Sequence, residues 1–233
     1  MVDRNIAIIP ARGGSKRIPD KNVIDFCGKP MIAWTIRAAL ESKLFDKVLV
    51  STDSSHIAKV AIALGAEVPF LRETASDDFS PISTATLAAL LQAEDHWGTK
   101  YKNVVQLMAN CPLRTSQDII DAFQKFIVSA HDFQISAFEF GWMNPWWAAK
   151  LLPDGRPEPM FREALSKRSQ DLESLYCPTG AIWIADADSL RNQKTFYGVG
   201  HAYHPMSVRS AIDIDDFTDL EMARAYFTMG QAT

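Results

Sequence analysis

Unbroken apolar runs alternate with stretches of helical periodicity through the first part of the chain. Ile6-Ala-Ile-Ile9 contains no polar position, which predicts a strand buried on both faces of a parallel sheet. The spacing then changes: Ile32, Ile36, Ala39 and Leu40 fall on one face of a helix that Pro30 opens. Residues 47–50 read as the next strand, and Asp53 or Ser54 caps a helix over 57–64 that Gly65 stops. A helix over 83–93, a strand over 103–108, a helix over 116–128 and a strand over 133–140 continue the series. In the helix over 116–128, the fourth, Ile119, Ile120, Phe123, Phe126 and Ile127 sit at helical spacing. This βαβαβ rhythm predicts an α/β fold with a mainly parallel sheet and helices on both faces.

The rhythm breaks at Gly141. Five of the 12 prolines lie between positions 145 and 178, with Trp142, Trp146 and Trp147 at the entrance. The segment reads as an excursion carrying exposed aromatic surface, as interfaces do, or else as a long loop covering its own sheet. Strand pattern returns over 180–185, and a helix through Leu220, Met222, Ala223 and Tyr226 closes the chain. The expected organisation is a core of 1–140 and 177–233 with an excursion of 141–176.

Composition narrows the class. The 233 residues are 47% hydrophobic and carry 24 Lys and Arg against 28 Asp and Glu, a net charge of -4, which argues against a nucleic-acid binder. Cys27, Cys111 and Cys177 are too widely spaced for a disulfide framework or a zinc CxxC pair. No apolar run approaches the ~20 residues of a spanning helix, so a soluble, cytoplasmic protein with no membrane partner is expected.

Two constellations carry chemistry. Pro10-Ala-Arg-Gly-Gly-Ser-Lys-Arg-Ile-Pro19 follows the first strand directly, where parallel sheets open their ligand crevice. Gly13 and Gly14 permit close backbone approach with inward N–H groups, Ser15 adds a hydroxyl, and Arg12, Lys16, Arg17 and Lys21 supply cations. The pattern is neither a Walker loop nor GxGxxG; it suits a polyphosphate, the alternative being a solvated basic turn. Ile212-Asp-Ile-Asp215, read as a strand, puts both isoleucines on one side and Asp213 and Asp215 on the other. Adjacent carboxylates repel unless a cation lies between them, and Mg²⁺ prefers such ligands together with phosphate oxygens. The alternative is an acidic cap on the last helix. Asn110 and Arg114, after the strand over 103–108, are placed at the crevice edge, and Arg168 and Gln170 lie within the excursion.

The segment Ile9-Pro-Ala-Arg-Gly-Gly-Ser-Lys-Arg-Ile-Pro-Asp-Lys-Asn22 resembles the signature of the CMP-sialic acid synthetases, the acylneuraminate cytidylyltransferases. The likeness continues through Val50-Ser-Thr-Asp53, Cys111-Pro-Leu-Arg114, Pro178-Thr-Gly-Ala-Ile182 and Asp213-Ile-Asp215. Pro69-Phe-Leu-Arg72, Ser76-Asp-Asp78 and Arg168-Ser-Gln-Asp-Leu172 are similar to the branch that activates pseudaminic acid, while Pro178-Thr-Gly180 is nearer the acylneuraminate branch.

The resemblance implies a Rossmann-like three-layer nucleotidyltransferase fold with a projecting dimerisation arm. It also implies a homodimer and a Mg²⁺-dependent transfer of CMP from CTP to a nonulosonic acid with release of pyrophosphate. By motif position it implies nucleotide contacts from Ala11, Arg12, Gly13, Gly14, Ser15, Lys21, Asn22, Arg72, Ser80 and Ser83. Sugar contacts would come from Met108, Asn110, Arg168 and Gln170, metal ligation from Asp213 and Asp215, and catalysis from these aspartates with Arg12, Lys16 and Lys21. One departure stands out: the family's Leu-Gln-Pro-Thr-Ser-Pro-Leu-Arg reads Leu107-Met-Ala-Asn-Cys-Pro-Leu-Arg114 here. Met108 cannot make the hydrogen bonds of that glutamine, which favours a deoxygenated sugar such as pseudaminic or legionaminic acid. The rival readings are a cytidylyltransferase for an eight-carbon (KDO-type) ulosonate, a glycosyltransferase using its Asp-x-Asp, and a CTP-binding module without turnover.

Overall fold

The computed structural model describes residues 3–73 and 81–230. β1 (Asn5–Pro10) leads through a two-stranded ribbon, β2 (Asp25–Phe26) and β3 (Lys29–Pro30), into α1 (Met31–Ser42). Next come β4 (Lys47–Ser51), α2 (Ser55–Ala63), α3 (Ile82–Trp97), β5 (Asn103–Gln106), α4 (Ser116–Val128) and β6 (Phe133–Glu139). A hairpin of β7 (Ala149–Leu151) and β8 (Pro157–Pro159) precedes β9 (Tyr176–Asp186), α5 (Ala187–Gln193), β10 (Ala202–Pro205) and α6 (Phe217–Met229).

The main sheet is ordered β10-β6-β9-β5-β1-β4. β1 pairs in parallel with β4 and β5, and β10 with β6, while β9 runs antiparallel to both β5 and β6. Five strands therefore point one way, and only β9 opposes them. The chain leaves β1 toward β4 on one side and returns to β5 on the other, which makes the carboxyl end of β1 the topological switch point.

The β1 run behaves as its pattern requires. Ala7 and Ile9 join a cluster with Ile32 and Ile36 of α1, Ile57 of α2 and Phe123 of α4; Ile6 and Ile8 join Ala89 and Leu90 of α3 and Leu190 of α5. Helices thus cover both faces, in three layers. α4 starts where a capping box closes between Thr115 and Asp118 and buries Ile119, Ala122, Phe123 and Phe126. Ser54, not Asp53, caps α2, accepting from Ile57 N–H. α3 runs past the predicted end at 93 to Trp97, where Gly98 at φ 57° stops it.

Three further readings change. Residues 211–215 form no strand: Ile214 is buried and Ile212 packs beside it, so the alternation holds, but the segment has no ladder partner. β5 stops at Gln106, because Leu107 N–H bonds back to Ile8 and the chain then turns away. β9 begins at Tyr176, four residues before the predicted start, by pairing with Glu139.

Between β6 and β9 the chain leaves the sheet. From 141 to 178 Ala164 alone is buried, so this segment is no covering loop. Trp142 is 86% exposed and Leu151 77%, with Met143, Met160 and Leu165 also outside.

A third cluster lies at the carboxyl end of the sheet, where Ile18, Phe26, Met31, Trp34, Leu113, Ile214, Leu220 and Ala223 meet. Trp34 is its keystone. Its ring lies edge-on to Phe227 at 4.8 Å and Phe26 at 6.2 Å, its N–H donates to Phe26 O at 2.9 Å, and the Arg37 guanidinium sits 4.6 Å from the ring centroid. Trp34→Ala is expected to lower stability by about 3–5 kcal/mol, measured by urea unfolding.

Candidate active site

The parallel strands deliver their following segments to one edge. The turn after β1, the Thr52-Asp53-Ser54 segment after β4, residues 107–114 after β5 and the amino-terminal half of β9 all meet there.

The turn is held by its own polar groups. Ala11 is buried and its N–H donates to Ser51 O at 2.9 Å. Asn22, also buried, donates from Nδ2 to Arg12 O at 2.9 Å. Gly13 is placed by close approach: a Cβ there would stand 3.1 Å from Ser54 Cβ. Its N–H does not face an open cradle as the sequence suggested, because it donates to Asp53 Oδ1 at 2.8 Å. Gly14 is exposed with open space around its Cα, Ser15 N–H bonds to Gly13 O at 3.2 Å, and Lys16 is exposed. Arg72 N–H donates to Thr52 O at 2.7 Å, and its buried guanidinium has no partner at Nε among the described residues. Burial pulls the Arg72 pKa down; the Asp53 carboxylate opposes that and Arg12 adds to it, so all three charges share one corner.

The twin aspartates face the same turn. Lys21 Nζ donates to Ile214 O at 2.8 Å and to Asp215 Oδ1 at 2.9 Å, and Arg17 pairs with Asp215 Oδ2 at 2.7 Å. Burial raises the Asp215 pKa, but the Lys21 and Arg17 bonds outweigh it and hold the carboxyl below its usual range. At Asp213 the Lys21 and Arg17 charges pull the same way but are outweighed. Asp213 is half-buried, and burial first, then the Asp215 charge, push its pKa up to about 6.

Asn110 is buried rather than at the crevice edge. Its Nδ2 donates to Asp213 Oδ1 and, at 2.9 Å, to Ile214 O. Arg114 is buried as well, because NH1 donates to Ala181 O at 2.6 Å and Met108 O at 3.3 Å. Met108 lies beside Asp213 over Gly180, where a Cβ would stand 2.7 Å from Met108 Cγ and 3.3 Å from Asp213 Oδ2.

Other predicted site residues lie elsewhere. Ser83 is buried with its hydroxyl accepting from Phe196 N–H at 3.3 Å, and Ser80 lies outside the described residues. Arg168 pairs bidentately with Asp171, and Gln170 is exposed; both belong to the segment between β6 and β9. Two contributors went unread. Asp53 looked like a helix cap, although its place just past a strand's carboxyl end was the available signal. Gly180 carried none beyond its motif, since close approach is a tertiary property.

Among the described residues no group of three or more His, Cys, Asp or Glu is arranged to hold a metal ion. Two carboxylates do fit Mg²⁺, which keeps water and phosphate oxygens for its other positions. Asp213 fits best, since burial and the Asp215 charge outweigh the cations near it and disfavour its ionised form. The arrangement suits a polyanion carrying a divalent cation.

The raised Asp213 pKa has a stability consequence in metal-free solution. The folded chain keeps this proton where the unfolded chain has lost it, so the stability of the protonated form is fully present below the usual carboxylate pKa and is lost as pH rises through about 6. Asp213→Asn should therefore be more stable than the parent by about 1–3 kcal/mol near pH 8 and equal to it near pH 4, by urea unfolding in EDTA.

The chain is 36% identical over 226 residues to the pseudaminic acid cytidylyltransferase of Campylobacter jejuni, covering 96% of each protein. It is 33% identical over 248 residues to the CMP-N,N'-diacetyllegionaminic acid synthase of Legionella pneumophila, covering 98% of each. Its fold matches a solved CMP:2-keto-3-deoxy-manno-octonic acid synthetase complexed with CTP at a TM-score of 0.72 and 18% identity, over 99% of this chain and 100% of that one. The model of the cytidylyltransferase family matches residues 6–152, and the chain belongs to that family of nucleotidyltransferases.

Proposed function

We propose that this enzyme transfers CMP from CTP to a nonulosonic acid, with pseudaminic acid as the favoured acceptor, and releases pyrophosphate. The observation that carries the reading is the bond from Lys21 to Asp215, which brings the cationic turn and the twin aspartates onto one crevice. A nucleotide whose triphosphate met both would present its α-phosphorus between them.

In this reading Arg12, Lys16 and Lys21 neutralise the triphosphate and then the departing pyrophosphate. The Gly13-Gly14-Ser15 turn and Asn22 fix the nucleotide, and Arg72 stands beside the base. Asp213 and Asp215 would hold Mg²⁺, which would supply charge neutralisation at the phosphates. The acceptor's anomeric hydroxyl attacks the α-phosphorus in line, and holding the two reactants in that alignment is the main contribution of the site. Met108 supports the choice of acceptor: its thioether offers an apolar surface beside Asp213 and suits a sugar face that lacks a hydroxyl.

The excursion 141–176 is read as a dimerisation arm. Its exposed Trp142, Met143, Leu151 and Met160 make an apolar surface that a second copy would cover, and Arg168 and Gln170 would then approach the neighbour's acceptor.

Pyrophosphate release with CTP and Mg²⁺ tests the reaction, offering pseudaminic, legionaminic, N-acetylneuraminic and the eight-carbon acid in parallel. Turnover should be fastest with pseudaminic acid; CTP binding without pyrophosphate from any acid would overturn the reading. Asp213→Ala should abolish turnover without lowering the melting temperature. Arg12→Ala should weaken CTP binding about ten- to a hundredfold, as loss of a charged hydrogen bond requires. Sedimentation should give a two-copy mass for the parent and a one-copy mass for a Trp142→Glu, Met160→Glu double variant.

A further inference from the structure

The segment bearing the twin aspartates has no ladder to hold it, so its geometry depends on individual polar bonds. Thr179 Oγ1 donates to Ala211 O at 2.7 Å, and Asp219 Oδ2 accepts from Asp215 N–H at 2.9 Å. Lys21 holds the Ile214 carbonyl. None of these fixes the Asp213 side chain.

Asn110 does. Its backbone carbonyl accepts from Ile214 N–H at 2.9 Å, its Nδ2 donates to Ile214 O at 2.9 Å, and the same Nδ2 donates to Asp213 Oδ1. The first two bonds mimic one rung of a ladder between the turn after β5 and the aspartate segment. The third selects a carboxylate rotamer. Gly180 has no Cβ, which leaves room for Asp213 Oδ2 and Met108 Cγ side by side, 3.3 Å and 2.7 Å from the point a Cβ would take. With Oδ1 bound to the amide, Oδ2 is the oxygen left for a ligand. Asn110 is 3% exposed, so water does not compete for its amide.

We infer that Asn110 is a positioning residue that orients Asp213 for a divalent cation, a role distinct from the sugar contact implied by its motif. The inference rests on the proposal that Asp213 and Asp215 hold the metal. An alanine at 110 would keep the backbone bond and lose both amide bonds, freeing the carboxylate to rotate. Outer-shell partners of this kind typically change metal affinity by about 10–100-fold.

The test uses Mn²⁺ alone as the probe, its free concentration followed by electron paramagnetic resonance, with CTP binding measured separately in EDTA. Asn110→Ala should weaken Mn²⁺ binding about tenfold or more while CTP affinity in EDTA stays within about twofold. Asn110→Ser, which retains a donor, should fall between parent and alanine variant, and it decides by the same criteria if the alanine variant fails to fold. Mn²⁺ affinity within about twofold of the parent would overturn the inference, as would a parallel loss of CTP affinity, which marks general damage rather than loss of orientation. Asp213→Ala separates the two levels: if it leaves Mn²⁺ binding intact, the metal assignment falls and the role of Asn110 with it. If it removes binding while Asn110→Ala does not, only the positioning role falls.

Discussion

The Lys21 ammonium is the contact on which the crevice depends. It reaches across 193 residues of sequence to the Ile214 carbonyl and, beside it, to Asp215. Two cations bind Asp215, and they are not equivalent. The Arg17 side chain is 64% exposed and that of Lys21 only 15%, so solvent screens the first pair far more than the second. Lys21 is therefore the anchor, and Arg17 a solvated companion. Without that bond the aspartate segment, which lacks a strand neighbour, would rely on the solvent-screened Arg17–Asp215 pair and on the packing of Ile18 and Ile214 in their common cluster to meet the amino-terminal turn.

How much of this was legible follows from what a one-dimensional pattern records. Ile6 to Ile9 read correctly as two-faced because burial on both sides of a sheet removes every polar position. α4 read correctly at both ends because its apolar residues recur at helical spacing, and a capping box between Thr115 and Asp118 fixes where it starts. β10 did not read as a strand, because Ala202-Tyr-His-Pro205 sits at the sheet edge with only partial burial. Ile212 to Asp215 shows the limit of alternation: it reports which side of an extended chain faces the core, not whether a neighbour bonds to it. Among site residues the cationic turn and the aspartates were visible, since their charges cluster along the chain. The placement of Asn110 was not, because its partners lie more than a hundred positions away. Arg114 misled for a related reason: a charge in a turn looks solvated until the carbonyls that receive it, here those of Met108 and Ala181, are known.

The segment between β6 and β9 keeps its shape without a core. Trp146 Nε1 donates to Glu173 O and Trp147 Nε1 to Ala164 O, the β7–β8 hairpin pairs with itself, and Phe161 meets the Trp146 ring at 5.0 Å. The indole N–H groups are satisfied inward while the apolar side chains point out. A chain folding for itself alone would reverse that economy, since outward apolar area contributes stability only when something covers it.

The same tension between fold and site recurs at Asp213. A half-buried carboxylate beside a thioether and a second carboxylate is a poor choice for a chain that only has to fold, since burial and the Asp215 charge push its pKa up to about 6. Gly180 permits the crowding, for any side chain there would drive Met108 off the aspartate. Cys111, buried and with its pKa pushed well up, adds no relief because it stays neutral. Arg114 contributes a buried positive charge, yet its bonded nitrogen faces backbone carbonyls rather than the carboxylate. What would relieve Asp213 is a cation in the crevice. A divalent cation carried by a polyphosphate would answer the Asp213 charge, and the cationic turn beside it, whose Lys21 and Arg17 already pair with Asp215, would meet the phosphates.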